Sequence, residues 1–426
     1  VGPELIVLVL AACLAGSALG TCTGLIPGIH VNTLASIMLV SYPAIGSFIS
    51  SFSDPAYVPV IVSACIMSAS VVHSFVAYVP AVFIGAPDPD EVLTVLPGHR
   101  LLMRGHGMKA IRAAAIGSAV GAASAILLAI PIQYLMLHGL ADKLNLLTVA
   151  VLMFTLLAII LKEHGVKNKF WAMVLVLASG TLGLICMDLP IQSVGIMGEG
   201  TLLFPMLTGL FGMPALLSSF KNASVPPQED DGLPPVDHLP GIKGVLMGTI
   251  AGWYPGITAT AGASLSSVFM PEDRPEKFIS VVASIGTVTS IFSLVTLSVS
   301  GSGRTGTVLV IREIVGDSIS GFCSPEFLLL LLCTAIASFL GYHLTIGAGK
   351  IMSRMTNKID TRLLSKIVVC VIVALVLLLT GPFGLLILLI SLLIGMIPLG
   401  MEISRIPLAG CLMFPVLVHH LFGSLF

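Results

Sequence analysis

Two short stretches of this chain hold most of the residue types from which chemistry can be built, and they follow one pattern. Residues 20–35 read GTCTGLIPGIHVNTLA and residues 248–263 read GTIAGWYPGITATAGA. Each has glycines at intervals of four (Gly20, Gly24 and Gly28; Gly248, Gly252 and Gly256) and a proline directly before the last of them (Pro27, Pro255). Each then continues with polar side chains: His30, Asn32 and Thr33 in one, Thr258 and Thr260 in the other. Proline removes an amide donor and clashes with the preceding helical turn, so a helix running into either stretch should break at the Pro-Gly pair. A helix starting beyond the break opens with amides that have no partner inside it, at the positive end of its dipole. Such an end, flanked by hydroxyls, suits an anion. The plainer reading is that the breaks serve packing and the hydroxyls cap their own helices. Because the device occurs twice, the site reading is the more economical one.

Other ionisable candidates are few. Arg304, in SGSGRTG, reads either as a counter-charge for an anion or as a solvated loop arginine. His73 lies inside a charge-free run and reads as a satisfied interior histidine or a proton relay. Asp188 and Glu199 flank a short segment as loop residues, and the adjacent His419 and His420 lack the spacing of metal ligands on one helix face. With no G-x-S-x-G, no H-E-x-x-H and no paired aspartates on apolar segments, no catalytic or metal-binding set is expected. A lipid-processing enzyme is the least supported class.

The elements that must position these residues are apolar. Of 426 residues, 56% are hydrophobic and 10% charged, against roughly 25% charged in an average soluble domain. Leu5–Ser53, Pro55–Pro87 and Ala113–Ala141 contain no charged residue, and ~20 apolar residues suffice to span a bilayer as a helix. The chain therefore reads as an all-α polytopic protein, multi-pass in the cytoplasmic (cell) membrane and surrounded by its lipids. In hydrocarbon a broken helix survives only where it is buried in protein or lines a polar cavity. Matched broken segments in two halves are the pointer to a transporter's binding site. The first apolar run lacks an A-x-A-like cleavage site and reads as structure, not as a signal peptide. The eight dispersed cysteines read as small apolar residues. A net charge of −1 and the lack of any basic tail argue against nucleic acid.

The repetition extends beyond the motif. FPMLTGLFG at 204–212 is echoed by FPVLVHHLFG at 414–423, which divides the chain into a first transmembrane repeat (1–217), a Pro- and acid-rich linker (218–238) and a second repeat (239–426). Loops at matched positions carry opposite charge: 350–366 holds five Lys and Arg while its counterpart 138–145 holds only Lys143. Since cytoplasmic loops are enriched in Lys and Arg, the two repeats are expected to have inverted topology, each a re-entrant Pro-Gly-broken hairpin plus about five spans. That predicts ten spans in all, both termini outside and a cytoplasmic linker. Residues 301–317 and 350–366 are expected to be loops, and 141–145 a turn.

GLIPGI and GWYPGI with their hydroxyl-rich continuations resemble the paired Pro-Gly motifs of the TctA family, the large membrane subunit of tripartite tricarboxylate transporters. VFIGAPDPDEVLTVLPGHRLLMRGHGMKAIRAAAIGS is similar to that family's segment after its third apolar run, and FPMLTGLFGMPALL to the end of its first half. The resemblance is collinear over nearly the whole chain. It implies secondary transport of a di- or tricarboxylate by alternating access, coupled to Na⁺ or H⁺ with no other cofactor, and a site built by Pro27, Gly28, Pro255, Gly256 and their neighbours. It also implies a small membrane subunit and an extracytoplasmic binding protein as partners. Similar paired hairpins occur in polyprenyl-phosphate recycling transporters, so a lipid phosphate is the alternative substrate.

Overall fold

The structure, a computed structural model, describes residues 2–26, 31–85, 93–188, 193–195, 198–200, 202–214, 217, 226–229, 237–254, 259–301, 303, 305–356, 361–401 and 403–423. The first half begins with α1 (Pro3–Leu25), α2 (Val31–Val40) and α3 (Tyr42–Ser50), followed by α4 (Val58–Val76), α5 (Tyr78–Phe83), α6 (Val95–Leu102) and α7 (Gly107–Leu135). It continues through α8 (Ala141–Leu146), α9 (Thr148–Lys162), α10 (Val166–Asp188), a minimal antiparallel hairpin of Ser193–Gly195 with Gly198–Gly200, and α11 (Leu203–Leu207). The second half comprises α12 (Leu239–Trp253), α13 (Ala259–Phe269), α14 (Pro275–Ser300), α15 (Gly306–Val315), α16 (Pro325–Thr356), α17 (Thr361–Met401) and α18 (Gly410–Phe422). Among the described residues seven helices are long and apolar enough to cross a membrane, and three further apolar helices are shorter. The protein is an all-α, multi-pass membrane protein.

Several stretches expected as loops are helical. Residues 306–315 form α15, which starts where Thr305 Oγ1 accepts from the amide of Val308 at 3.4 Å, a cap that the Gly- and Ser-rich lead-in conceals. α16 runs on to Thr356, into the basic stretch, and 141–146 is a short helix rather than a turn. α17 is two legs: Gly381 sits at φ 67° and is followed by Pro382, so the helical path is interrupted there, between the two apolar segments visible in sequence.

The glycine spacing sets the packing. A methyl group built on Gly16 or Gly20 would fall on the carbonyl oxygen of Cys65 or Ala69, and one on Gly24 would lie 3.1 Å from that of His73. Three rungs four residues apart on both sides mean that α1 and α4 run parallel with their backbones in close approach, as small-residue seams allow. The second half repeats this. Methyls on Gly244, Gly248 and Gly252 would lie 2.6 Å from the Cβ atoms of Ser284, Val288 and Phe292, so α12 and α14 are likewise parallel. Here hydroxyls of α14 also donate to carbonyls of α12: Ser284 to Gly241 at 2.6 Å, Thr289 to Gly248 at 3.4 Å, and Thr296 to Gly252 at 3.0 Å.

Each pair takes its third helix from the other half of the sequence. α7 lies parallel to α14, with Gly117 against Ser280, Gly121 against Ser284, and Gln133 Nε2 donating to Ser298 Oγ at 2.8 Å. α16 lies along α4: Phe327 and Leu330 share the α4 core, Gly341 meets Phe75, and Ile346 and Met352 pack with Tyr78 and Val82. α7 and α16 meet antiparallel, Gly349 lying against Ile111 while Gln133 binds the backbone of Gly321 and Cys323. The trio α1–α4–α16 therefore points one way and α12–α14–α7 the other.

One end of this assembly carries three lysines, each paired with an acid. Lys109 pairs with Glu276 at 3.3 Å, Lys277 with Asp237 at 2.9 Å, and Lys243 with Glu272. The hydrogen bond from Lys277 holds the Asp237 carboxyl below its ordinary range. The described part of the linker is anchored at the same end: Glu229 N donates to Gly105 O at 2.8 Å and Gln228 Oε1 accepts from Gly107 N at 2.9 Å.

Candidate functional site

Both breaks have the same local form. α1 stops at Leu25 and α12 at Trp253; the residue that follows each, Ile26 or Tyr254, is extended (φ −96°, ψ 107° and φ −78°, ψ 128°). Extended backbone is what a following proline imposes on its predecessor. The next helices start at Val31 and Ala259, again at matching places. Pro27, Gly28, His30, Pro255, Gly256, Thr258 and Arg304 lie outside the described residues. Thr33 is on α2, its side chain also outside them, and Thr260 is buried in the first turn of α13.

Asn32 shows what the first break is joined to. Its Oδ1 accepts from the amide of Thr307 at 3.0 Å, and a methyl on Gly306 would lie 2.7 Å from its Cγ. The first turn of α2 thus abuts the first turn of α15, two helix starts from opposite halves of the chain. Around them lie hydroxyls that sequence alone did not single out. Thr307 Oγ1 is 3.3 Å from Ser70 Oγ of α4 and 3.1 Å from Thr305 Oγ1, and Ser293 Oγ of α14 accepts from Thr305 N at 3.2 Å. The only sequence signal for them is the density of Ser and Thr in otherwise apolar spans. The contacts of Asn32 on this side are with Gly306 and Thr307, at the start of α15. A short distance along the same seam, His73 Nδ1 lies 2.9 Å from Thr23 Oγ1 and the ring is buried, which gives the interior histidine a partner on α1.

The surroundings of the second break are different. Trp253, Tyr254 and Ala261 share an apolar cluster with Ile406, Ala409 and Met413, so the turn between α17 and α18 packs there. Leu93, just before α6, packs against the same cluster. The arrangement therefore offers a polar junction of helix starts at one break and an aromatic-walled, largely apolar setting at the other. Two opposed helix ends with hydroxyls can hold an anionic head group without any covalent chemistry.

A protein of Methanocaldococcus jannaschii, itself uncharacterised, is 24% identical over 423 residues, covering 96% of this chain and 98% of its own length. No solved structure matches. The family model described as the tripartite tricarboxylate transporter TctA family matches residues 10–410. With that match spanning both broken helices, both glycine seams and the exchanged third helices, the chain belongs to the TctA family.

Proposed function

We propose that this chain is the permease of a secondary transporter that moves an organic anion, a di- or tricarboxylate, across the cell membrane by alternating access, driven by Na⁺ or H⁺. The observation that carries the reading is the pair α1 and α12: each ends in an extended residue before Pro-Gly and each is seated by glycines on a parallel neighbour. Because α1 parallels α4 and α12 parallels α14, the chain between the members of each pair must return to the end from which it started. In this reading that path is a re-entrant hairpin at each break, with Pro27–Gly28 and Pro255–Gly256, and His30, Asn32, Thr33, Thr258, Thr260 and Arg304, as the site. The opposed trios favour inverted repeats over 1–217 and 239–426, for which substrate binding between the repeats near the midplane is the general pattern. The end rich in Lys109, Lys243 and Lys277 is then cytoplasmic, and the linker with it. A small membrane subunit and an extracytoplasmic binding protein complete the system, and no catalytic role falls to this chain.

Purified protein in liposomes should take up labelled citrate or succinate under an imposed Na⁺ or H⁺ gradient. Asn32→Ala removes the acceptor for Thr307 N, a loss of about 1–2 kcal/mol at a helix start, and should cut uptake several-fold; His30→Ala and Thr258→Val should also weaken it. Absence of gradient-driven uptake of either acid, together with saturable binding of a polyprenyl phosphate, would replace the carboxylate by a lipid phosphate. The topology has its own check. Single cysteines placed in 350–356 and in 138–145, on a cysteine-free background, should react with an impermeant maleimide from opposite sides. Labelling of both from one side rules out the inverted repeat.

A further inference from the structure

The short turn that joins α17 to α18 carries Arg405, the one Lys or Arg between residue 367 and the last residue. Its side chain is 7% exposed, and its Nε and Nη2 are buried with no hydrogen-bond partner among the described residues. Among the described residues the carboxylate beside this turn is that of Glu163, which accepts from Ser404; Glu402 lies outside them. A buried cation without a counter-charge costs several kcal/mol, and ionisable groups inside a membrane protein are rare where they have no task. A second donor, in the apolar cluster that the next residue joins, is in the same state. Ile406, the next residue, packs in one cluster with Trp253, and the indole Nε1 of Trp253 is buried and also lacks an acceptor among the described residues. Trp253 is the last residue of α12, so the cluster that Ile406 joins reaches the second break. The excess is entirely of donors, which defines what is missing: an acceptor with several lone pairs and a negative charge. Nε and Nη2 form one edge of the guanidinium, and that edge matches the two oxygens of a carboxylate.

The geometry points to Arg405 as the counter-charge of the carried anion: its Nε–Nη2 edge receives a carboxylate of the substrate. This rests on the transport reading above and deepens it by naming the group that recognises the acid. It also makes the two breaks unlike, a polar junction at Asn32 and a cationic one at Arg405. A dicarboxylate or tricarboxylate has an acid group for each.

The chain has two tryptophans, and the other, Trp171, lies on α10, in ring contact with Phe170. Trp171→Phe therefore leaves Trp253 as a single reporter in the cluster that Ile406 joins. Titrating that protein in nanodiscs with citrate should shift the Trp253 emission saturably. Arg405→Gln in the same background should weaken the midpoint at least tenfold and abolish uptake in liposomes, with Arg405→Lys between the two. Ligand-free Arg405→Gln should melt no lower than its parent, because a charge with no partner among the described residues has been removed, and it should lose the rise in melting temperature that citrate gives the parent. Neutralisation that unfolds the ligand-free protein would mark a structural arginine and overturn the assignment. So would an unchanged citrate midpoint in Arg405→Gln, while intact uptake by that variant would leave the transport reading standing without it. A response to inorganic phosphate but not to citrate or succinate overturns the carboxylate. If the parent neither takes up nor responds to citrate or succinate, the transport reading falls with it.

Discussion

Gly20→Leu is expected to leave no folded protein in the membrane. At this rung a methyl alone would lie 2.9 Å from the Cα of Ala69 and on top of its carbonyl oxygen. The obstacle is backbone, which no rotamer change can move aside. Relief requires α1 and α4 to separate, and the rungs at Gly16 and Gly24 would open with them. Overpacking of a tight contact costs about 1–3 kcal/mol per inserted group, and leucine adds several groups along a seam of three rungs. Gly20→Ala should already lower the melting temperature in detergent. Gly24→Ala, where the nearest atom is 3.1 Å away, should be milder, and Leu10→Ile milder still because Leu10 is 37% exposed. The order is read from detergent-solubilised yield and size-exclusion profile. A monodisperse Gly20→Leu protein at wild-type yield would show that the helices are not in backbone contact.

Gln133→Leu is expected to cost about 2–4 kcal/mol, the sum of three lost hydrogen bonds and the buried groups left without partners. Gln133 is fully buried; its Nε2 donates to Ser298 Oγ at 2.8 Å and to Gly321 O at 3.1 Å, and its Oε1 accepts from Cys323 N at 3.1 Å. Leucine is close in volume, so packing survives while every polar bond is lost. The effect is enlarged by Cys323, whose φ of 53° is left-handed, a conformation that a non-glycine residue keeps only when its surroundings hold it. Releasing the Cys323 amide frees that backbone to relax and loosens the entry to α16. The check is a melting curve of detergent-solubilised protein, with Gln133→Glu as a second variant. The glutamate retains the acceptor for Cys323 N and gives up both donors at the cost of a buried charge, so it should fall below wild type too. A Gln133→Leu protein as stable as wild type would mean that the three bonds are not formed.

The glycine repeat was legible as a seam before any coordinate was known, because spacing by four on a helix has one geometric meaning. Its register was not. Contact is made by Gly16, Gly20 and Gly24 and by Gly244, Gly248 and Gly252, one step earlier than the motif, while Gly28 and Gly256 belong to the breaks. The end of each helix at the residue before proline was legible for the same local reason. The long-range arrangement was not. Nothing in the periodicity of α7 or α16 says that the face of each fits the other half, since an apolar helix surface is compatible with many neighbours. α15 was hidden because Ser, Gly and Thr read as loop and the acceptor that meets its first turn, Asn32, comes from far away in sequence. Arg405 falls between the last two apolar segments, where nothing in MEISRIP marks it as interior, and only the fold shows it buried, in a turn whose Ile406 shares a cluster with Trp253.

The placement of α7 and α16 has a consequence for how such a molecule is put together. Each pair, α1 with α4 and α12 with α14, is completed by a helix that the ribosome makes as part of the other half. In the language of oligomers the third helices are exchanged, as in a domain-swapped dimer whose two protomers have been strung on one thread. The first half therefore emerges from synthesis with the α7 surface for α14 uncovered and the groove on α4 empty. It acquires its core only when residues 325–356 arrive. Assembly is thus a late event that closes both trios together, and a chain truncated before α16 is incomplete in both halves at once.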